Sequence, residues 1–370
     1  MMLGVSAEQE ELRASVRRFL ADRAPLSRVR ELMEGGETDW AVWEQAGSQL
    51  GLQGLAIPEA YGGAGFSFAE QAIVLEEFGA ALYGGPYLAS AVLAATALLA
   101  SPDEGARREL LPPIASGRTV ATLAFTEDGG SWDPGAIRLS AVKDGEAWRL
   151  DGHKSFVLDG ATAGLILVAA ATDAGLSLFA VEGAAAGLSR AALPALDQTR
   201  QLARLEFAGV TGRLIGSPGD GAAVLDRALD VAAIALAAEQ LGGAQRALDT
   251  AVEYAKNRRQ FDRPIGSFQA IKHRCADLLL EVESLRSAVG YAAAAVAEDS
   301  PVIPMLAPLV KAYASETYFH VAAENIQIHG GIGFTWEHDA HLYFKRAKAS
   351  ELFLGDGAYH RERLATRLGL

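Results

Sequence analysis

Apolar residues recur at helical spacing through the first third of the chain. Leu12 and Val16 follow an acidic first turn, and the same spacing returns over 41–50 and 68–81. Residues three and four apart lie on one face of an α-helix, so each stretch predicts an amphipathic helix. Paired prolines and a Ser-Gly step then interrupt the pattern, and the sequence predicts an N-terminal helical domain over residues 1–117.

Short β-rich runs replace this pattern in the middle of the chain. The runs are 120–125, 148–150, 155–158, 165–169, 176–181 and 202–207. Glycine, aspartate and proline clusters separate them, and several short strands at such spacing are typical of a compact β domain. We expect a β-barrel-like or sandwich domain over residues 118–216.

Helical patterning returns after Ser217-Pro218 and continues to the end of the chain. Three long alanine- and leucine-rich segments span 222–256, 268–298 and 304–328. They predict a C-terminal four-helix bundle over residues 217–370. The expected fold class is therefore multi-domain α+β, with a helical, a β and a second helical domain in that order.

The charge and cysteine content exclude several classes of function. The 370 residues carry a formal net charge of −13 and no run of lysine or arginine, so we expect no nucleic-acid partner. The one cysteine, Cys275, lies in a helical pattern and is interpreted as a packing residue, which excludes an internal disulfide and a multi-cysteine metal site. The seven histidines show no HExxH-like pairing, and no metal is expected.

One uncharged run, 78–102, raises the question of a membrane span. Gly84-Gly85-Pro86 interrupts it and leaves about 14 residues before Ser101-Pro102, fewer than the ~20 that a span needs. A buried helix is the expected structure. The first residues carry early acids and no short apolar core, unlike a secretory signal, and we expect a cytoplasmic protein.

The stretch 232–269 combines an isolated acid with a basic, aromatic end. Glu239 lies among alanines at positions 232, 233, 235, 237 and 238. A carboxylate in apolar surroundings has a raised pKa, which suits it to abstract a proton. The alternative is a glutamate on the surface of a helix. The segment then ends in NRRQFDRPIGSFQ, residues 257–269, where Arg258 and Phe261 offer a charge and a flat apolar surface to a phosphorylated aromatic ligand.

Two further segments could contact such a ligand. AFTEDGGSW, residues 124–132, leaves a predicted strand as a polar, glycine-rich turn suited to a ring edge or a phosphate, although an ordinary β-turn has the same composition. QIHGGIGF, residues 327–334, carries a helix into three glycines, which allow close approach of a ligand but also end helices. It does not match a GxGxxG motif after a strand, so a Rossmann fold is not predicted. For 257–269 the alternative is a helix end whose basic residues complement the helix dipole.

Together and in this order, these segments resemble the acyl-CoA dehydrogenase family. The opening SAEQEELRASVRRFL and the loop IPEAYGGAGFSFAE also fall where that family has them, so the resemblance covers nearly the whole chain. It implies an enzyme that holds FAD between subunits and removes a proton from Cα of an acyl-CoA while hydride passes from Cβ to the flavin. The electrons would then leave to an electron-transferring flavoprotein.

The resemblance also implies a set of cofactor contacts. They are Thr126, Glu127, Ser131, Phe156, Arg258, Gln260, Phe261, Gln269, Gln327, Gly330 and Gly331. Thr126 would bond the pyrimidine edge of the flavin with Glu127 beside it, and Ser131 would lie near the flavin and the pyrophosphate of CoA. Phe156 stands where the family usually has a tryptophan, and Leu158 replaces a usual threonine, which puts one flavin hydrogen bond in question.

The remaining contacts would serve a neighbouring subunit. Arg258, Phe261 and Gln269 resemble residues that reach the FAD of that subunit, with help from Gln260. The residues that would cradle its pyrophosphate are Gln327, Gly330 and Gly331.

The catalytic base is where the chain departs from the family. Most members carry a glutamate at the position of Leu354, and the branch related to isovaleryl-CoA dehydrogenase carries it at the position of Ala232. Glu239, two helical turns beyond Ala232, is the first candidate to replace them. Asp356 is the alternative, and Glu351 a weaker one.

The displaced base and the small residues of 88–100 suggest a bulky, branched or ring-bearing acyl group. Similar sequences resemble bacterial acyl-CoA dehydrogenases that act on steroid side chains, in which two different chains often form an α2β2 assembly. We therefore expect a homotetramer, a homodimer or such an α2β2 assembly. Two alternatives remain open: a flavin monooxygenase on the same fold, and a non-catalytic subunit that completes the FAD site of a partner.

Overall fold

The structure is a computed structural model that describes residues 6–36 and 38–370. These residues divide into two compact units. The first, here called the helical unit, comprises the described residues up to Glu31, Phe68–Tyr83 and Ala233–Leu370, and the second, the sheet unit, comprises Leu32–Ser67 and Gly84–Ala232. Each compact unit therefore combines segments that are distant in sequence. The domain bounds expected from the sequence, 1–117, 118–216 and 217–370, stay a prediction.

Eleven α-helices lie in the part of the chain that the structure describes. They are α1 (Ala7–Arg23), α2 (Leu26–Gly35), α3 (Trp40–Leu50), α4 (Phe68–Ala80), α5 (Ala95–Ala100), α6 (Glu104–Ala115), α7 (Gly221–Asn257), α8 (Gln269–Ala297), α9 (Ile303–His329), α10 (Ala340–Leu352) and α11 (Gly357–Leu368). The three long predicted helices agree with α7, α8 and α9 to within one residue at each end. The predicted first turn is also confirmed, because Ser6 and Gln9 form a reciprocal capping box at the start of α1.

The sheet unit contains a seven-stranded sheet. Its strands are β1 (Ala121–Ala124), β2 (Ser140–Asp144), β3 (Ala147–Leu158), β4 (Leu165–Thr172), β5 (Gly175–Glu182), β6 (Leu188–Leu193) and β7 (Leu202–Ile215). The pairings β4–β2, β2–β3, β3–β7, β7–β5 and β5–β4 return to the strand at which they start. This closed path gives the barrel-like sheet that the sequence predicts. Two further short strands, β8 (Arg259–Gln260) and β9 (Arg263–Pro264), form a hairpin in the helical unit.

The uncharged run around residue 90 is a buried helical segment, as expected. It begins as a π-helix, Leu88–Ala94, and continues as α5. The hydroxyl of Ser90 accepts a hydrogen bond from the amide of Ala121 at 3.0 Å, which fixes the π-helix against β1. Within the described residues, no helix is both long and apolar enough to span a bilayer, and no group of three or more histidine, cysteine or acidic residues could hold a metal ion.

Close backbone contact joins α4 and α7 inside the helical unit. A Cβ on Gly79 would lie 1.8 Å from the carbonyl oxygen of Glu239, and one on Gly242 would lie 1.7 Å from that of Glu76. Only glycine permits this approach at either position. The small residues of α7 therefore serve close helix packing.

Replacing Gly242 by alanine is expected to destabilise the protein by about 1–3 kcal/mol, because the added methyl group forces two backbones apart. Urea unfolding measures this change. Gly290→Ala on α8 is the matched control: its Cβ would meet nothing within 4 Å, and the gain in helix propensity should raise stability by about 0.5–1 kcal/mol. Equal changes in the free energy of unfolding for Gly242→Ala and Gly290→Ala would contradict the close backbone contact of α4 and α7 at Gly242.

Candidate active site

Residues from two distant segments meet at one end of the sheet. Thr126 follows β1, and its hydroxyl donates to the carbonyl oxygen of Ser155 at 2.7 Å, while the amide of Ser155 donates to the carbonyl oxygen of Thr126 at 2.9 Å. Phe156 comes next on β3, where the register with β7 shifts between Lys154 and Val157. Such a bulge re-aims a side chain.

Phe156 is the residue that this bulge presents. Its φ of 58° is unusual for an aromatic residue, and 36% of its surface is exposed. Gly130 faces it, with a hypothetical Cβ at 4.0 Å from the ring. Three residues predicted to contact the flavin, Thr126, Ser131 and Phe156, thus come from one short turn and one bulge that are hydrogen-bonded together.

Glu127 accepts hydrogen bonds from three neighbouring residues and so has a structural role. One of its carboxylate oxygens accepts hydrogen bonds from the amides of Arg138 and Leu139, at 2.9 and 2.8 Å, and from Nζ of Lys154 at 2.9 Å. Burial alone would raise the pKa of Glu127, but these donors more than offset it and the pKa lies below its usual value. Glu127 therefore anchors the loop that follows Thr126.

Lys154, which the sequence analysis did not single out, is fully buried beside Glu127. Burial lowers its pKa from 10.5 to about 8, against the opposing effect of Glu127. An unfolded chain therefore binds more protons at this site than the folded one between these two pH values. Its contribution to stability is lost as the pH falls from 10.5 through about 8.

Lys154→Met is expected to remove this dependence on pH. Relative to the variant, the wild type should gain stability as the pH rises from about 8 towards 10.5. Urea unfolding of both proteins across this range gives the comparison, with the exposed Lys143→Met as the control. If the free energy of unfolding changes with pH in the same way for wild type and Lys154→Met, the lowered pKa of the buried Lys154 is contradicted.

The segment predicted to reach a neighbouring FAD forms an exposed surface of the helical unit. Arg258 and Gln260 are exposed and lead into the β8–β9 hairpin, at whose tip Phe261 is 88% exposed with a φ of 53°. Gln269, also exposed, begins α8. The ring of Phe261 makes an edge contact with Phe268, with centroids 6.1 Å apart, and is otherwise held out to solvent beside arginine side chains.

The structure brings the QIHGGIGF segment to this hairpin. Ile328 packs in one apolar cluster with α7 residues and with Ile265, which directly follows the hairpin. Gln327 is exposed. Gly330 has φ 66° and ψ −146°, which only glycine adopts readily, and a Cβ on it or on Gly331 would meet nothing within 4 Å. The turn therefore presents its backbone to open space.

The residues present fit FAD. Arg258 and the open Gly330–Gly331 turn suit a pyrophosphate, since guanidinium groups and close-approaching backbone bind phosphate oxygens. On the sheet unit, the exposed ring of Phe156 suits the flat flavin, and the hydroxyl of Thr126, whose proton is already donated, retains acceptor capacity for a ring N–H. Leu158 is buried and carries no donor, so the hydrogen bond of the usual threonine is absent at this position.

Glu239 does not lie in the apolar surroundings that its alanine neighbours suggest. It is 7% exposed, and its carboxylate accepts a hydrogen bond from Arg346 of α10 at 2.7 Å. Arg346 is itself 1% exposed. The expectation of an isolated acid with room around it is therefore wrong, because an arginine 107 positions further along the chain pairs with it.

The other two candidate acids are also engaged. Asp356 caps α11 by accepting the amide of Tyr359 at 2.8 Å. Glu351 accepts from Lys348 at 2.9 Å within α10. These contacts leave the catalytic role of each acid a prediction, and they give each a structural role as well.

Two buried polar residues hold the loop that contains Leu354. Nζ of Lys311 donates to the carbonyl oxygens of Glu351 and Gly355, at 3.2 and 3.1 Å, and Nε2 of His360 lies 3.0 Å from that of Leu354. Burial first, and the Lys311 charge second, lower the pKa of His360 to about 3. Leu354 is buried with a φ of 63°. The loop around Leu354 is thus held by hydrogen bonds from two buried side chains.

Sequence patterns missed the three cations that organise these sites, Lys154, Lys311 and Arg346. Each falls at an apolar position of its strand or helix, where a charged residue is almost always paired. Such a mismatch between charge and periodicity is the sequence feature that could have identified them.

Comparison with known proteins agrees with this geometry. Sequence models of the N-terminal, middle and C-terminal domains of acyl-CoA dehydrogenases match residues 6–118, 122–210 and 219–369. The acyl-CoA dehydrogenase IpdE2 of Mycobacterium tuberculosis is 38% identical over 348 residues, which cover 94% of this chain and 93% of the relative.

Two solved structures are similar over almost their whole length. The Tcur3481-Tcur3483 steroid ACAD has a TM-score of 0.90 and 33% identity, with 99% of each chain covered. The ChsE4-ChsE5 complex of Mycobacterium tuberculosis has a TM-score of 0.90 and 31% identity, covering 100% of this chain and 99% of the other. The barrel-like sheet, the long C-terminal helices, the Thr126 and Phe156 site and these matches lead to one conclusion: the chain belongs to the acyl-CoA dehydrogenase family.

Proposed function

We propose that the chain takes part in the FAD-dependent α,β-dehydrogenation of a bulky or branched acyl-CoA thioester to the trans-2-enoyl-CoA. The observation that carries the proposal is the meeting of Thr126 and Phe156 at the sheet end, which offers one polar edge and one flat face to a flavin. When bound, FAD supplies the acceptor for the Cβ hydride. The proton on Cα passes to a carboxylate, and the electron pair of that C–H bond forms the new double bond.

Glu239 is the base that we propose within this chain. It is a buried carboxylate on α7, two helical turns beyond Ala232. A general base has to lie within hydrogen-bond reach of the proton that it abstracts, and the hydrogen bond from Arg346 occupies one of its oxygens. Proton abstraction by Glu239 therefore requires that Arg346 releases the carboxylate when substrate binds.

The products of the reaction test the proposal. Purified protein incubated with acyl-CoA and an artificial electron acceptor should give a thioester lighter by two hydrogens, with the double bond next to the carbonyl. A product that has gained one oxygen atom, formed only from reduced flavin and O2, would instead support the monooxygenase alternative and overturn the dehydrogenation.

The preference for a bulky acyl group rests on similarity and on composition. The π-helix Leu88–Ala94 and α5 consist mainly of alanine and leucine, and one similar solved structure is described as a steroid ACAD. Comparison of a ring-bearing acyl-CoA with butyryl-CoA tests this point. A higher kcat/KM with butyryl-CoA would exclude a site built for bulky groups.

A second candidate is a heteromeric assembly in which a related chain supplies the base. The engagement of all three candidate acids, above all the buried Glu239–Arg346 pair, favours it, and the similar ChsE4-ChsE5 structure is a complex of two chains. In that case the chain alone would be inactive, and co-expression with a related chain carrying the family glutamate would restore turnover. Full activity of the purified homomer would exclude this candidate.

The electron acceptor and location belong to the same proposal. By family resemblance, an electron-transferring flavoprotein would reoxidise the cofactor, and the enzyme would work in the cytoplasm. Reoxidation by a purified electron-transferring flavoprotein, measured against O2 alone, tests the first of these statements.

A further inference from the structure

Three aromatic rings form a column beside the Gly330–Gly331 turn. Tyr254 of α7 lies against His329 at the end of α9, with ring centroids 4.2 Å apart, and His329 lies against His338 at 4.3 Å. We call Tyr254, His329 and His338 the ring column. All three belong to the helical unit.

The ring column connects the two segments that would hold the dinucleotide. On one side, Tyr254 packs on the apolar cluster that contains Ile328 and Ile265, and the amide of Ile265 donates to the carbonyl oxygen of Arg258 at 2.8 Å. On the other side, His329 directly precedes Gly330. Displacement of His329 would therefore move the open glycine turn relative to Arg258.

Hydrogen bonds fix the orientation of both imidazole rings. Nδ1 of His329 lies 2.8 Å from the carbonyl oxygen of Asn325, so this nitrogen carries the proton. Nδ1 of His338 accepts a hydrogen bond from the amide of Ala340 at 3.1 Å, which requires a lone pair on that nitrogen. The two imidazole rings are tilted by 49° with centroids 4.3 Å apart, so a charge on His329 would lie directly against the His338 ring.

The surroundings of the ring column oppose added positive charge. Arg30 donates to the carbonyl oxygen of His338 at 2.9 Å and pairs with Asp339 at 2.7 Å. Lys345 lies 4.2 Å over the ring of Trp336, which in turn contacts His341. Of the two carboxylates that flank His338 in sequence, Asp339 is paired with Arg30 and Glu337 accepts a hydrogen bond from Thr335.

Burial lowers the pKa of His329 below 6.5, and the neighbouring His338 lowers it further, against the opposing bond to Asn325. Burial, then the Lys345 and Arg30 charges, likewise lower the pKa of His341, with Asp339 opposing. A histidine whose pKa is depressed in the folded state contributes stability that is present above 6.5 and is lost as the pH falls below it.

We propose that His329, through its ring contacts with Tyr254 and His338, is a positioning residue that holds the Gly330–Gly331 turn for the FAD pyrophosphate, and that this hold is lost when His329 is protonated. The inference rests on the proposed function, since it concerns the affinity for FAD. The affinity of the chain for FAD would therefore fall in acid, through residues that do not touch the reacting atoms.

Release of FAD as a function of pH tests the inference on the full-length holoprotein. The rise of flavin fluorescence on dissociation gives the Kd for FAD above and below pH 6.5. We expect the wild-type Kd for FAD to rise on acidification, because the pKa of His329 lies below 6.5 in the folded protein and acid forces a charge into the buried ring contact. His329→Phe keeps an aromatic ring at position 329 that cannot be protonated, so its Kd should stay flat over the same range.

Two further variants separate positioning from a general effect on folding. His329→Ala should bind FAD weakly at every pH, while the urea midpoint of its apoprotein stays close to that of apo His329→Phe. The exposed His273→Gln on α8 should retain the wild-type dependence on pH. Identical pH profiles for wild type and His329→Phe would overturn the inference although FAD binds, whereas a wild type that binds no FAD at neutral pH would overturn the proposed function itself.

Discussion

Replacing Glu239 by glutamine is expected to lower the rate of dehydrogenation by about 10²–10⁴-fold, the usual effect of removing a general base. Glutamine has nearly the same shape as glutamate but cannot accept the Cα proton. FAD content should be unchanged, because Glu239 belongs to none of the predicted cofactor contacts. Anaerobic flavin reduction by acyl-CoA, measured in a single turnover, reports the chemical step directly.

A control for Glu239→Gln has to remove the charge of its partner Arg346 as well. Glu239→Gln alone leaves Arg346 buried without its carboxylate, and the resulting loss of stability could lower activity indirectly. The double variant Glu239→Gln/Arg346→Met avoids the unpaired charge, and Glu351→Gln controls for the loss of a partly exposed acid. Wild-type flavin reduction in the double variant would exclude Glu239 as the base and leave Asp356, Glu351 or an acid of another chain.

Arg346→Met is expected to destabilise the protein by about 3–5 kcal/mol, because it leaves the Glu239 carboxylate buried without a cation. The two partners are 7% and 1% exposed and their contact is 2.7 Å, so solvent cannot replace the missing charge. Urea unfolding measures the loss. A surface pair would cost far less, typically under about 1 kcal/mol.

Removal of both partners should recover most of this stability. In Glu239→Leu/Arg346→Met, two apolar side chains of similar volume occupy the space of the pair, a change that is often neutral or stabilising by about 1–4 kcal/mol. Arg28→Met, which breaks the exposed pair with Glu31, is the matched control on the surface. If Arg346→Met costs no more than Arg28→Met, the pair is not the buried, mutually dependent contact described above.

The fold could be predicted from the sequence wherever burial produces a pattern. The long helices α7, α8 and α9 bury apolar faces, and their bounds were predicted to within one residue. Strands β2 and β6 were missed because they are mostly exposed, and an exposed strand carries no alternation of apolar residues. The runs 148–150 and 155–158 form one strand, because the bulge at Phe156 interrupts the pattern but not the strand.

The candidate site could be predicted only where function depends on local motifs. Thr126, Phe156 and the Gly330–Gly331 turn are predicted because each lies in a short recognisable segment, and their contacts with FAD stay a prediction. The partner of Glu239 could not be found in this way, since Arg346 lies on a different helix and only the tertiary packing of α7 and α10 brings the two together. An isolated acid in a sequence is therefore no evidence of an isolated acid in the structure.

The most direct test of the central claim is anaerobic flavin reduction by an acyl-CoA that carries deuterium at Cα. If the chain takes part in α,β-dehydrogenation, the visible absorption of the oxidised flavin should disappear in a single turnover. The reduction should be slower than with the unlabelled substrate, and the Cα deuterium should be lost from the enoyl-CoA that forms. A flavin that binds but stays oxidised with every acyl-CoA, both for the homomer and after co-expression with a related chain, would contradict the account.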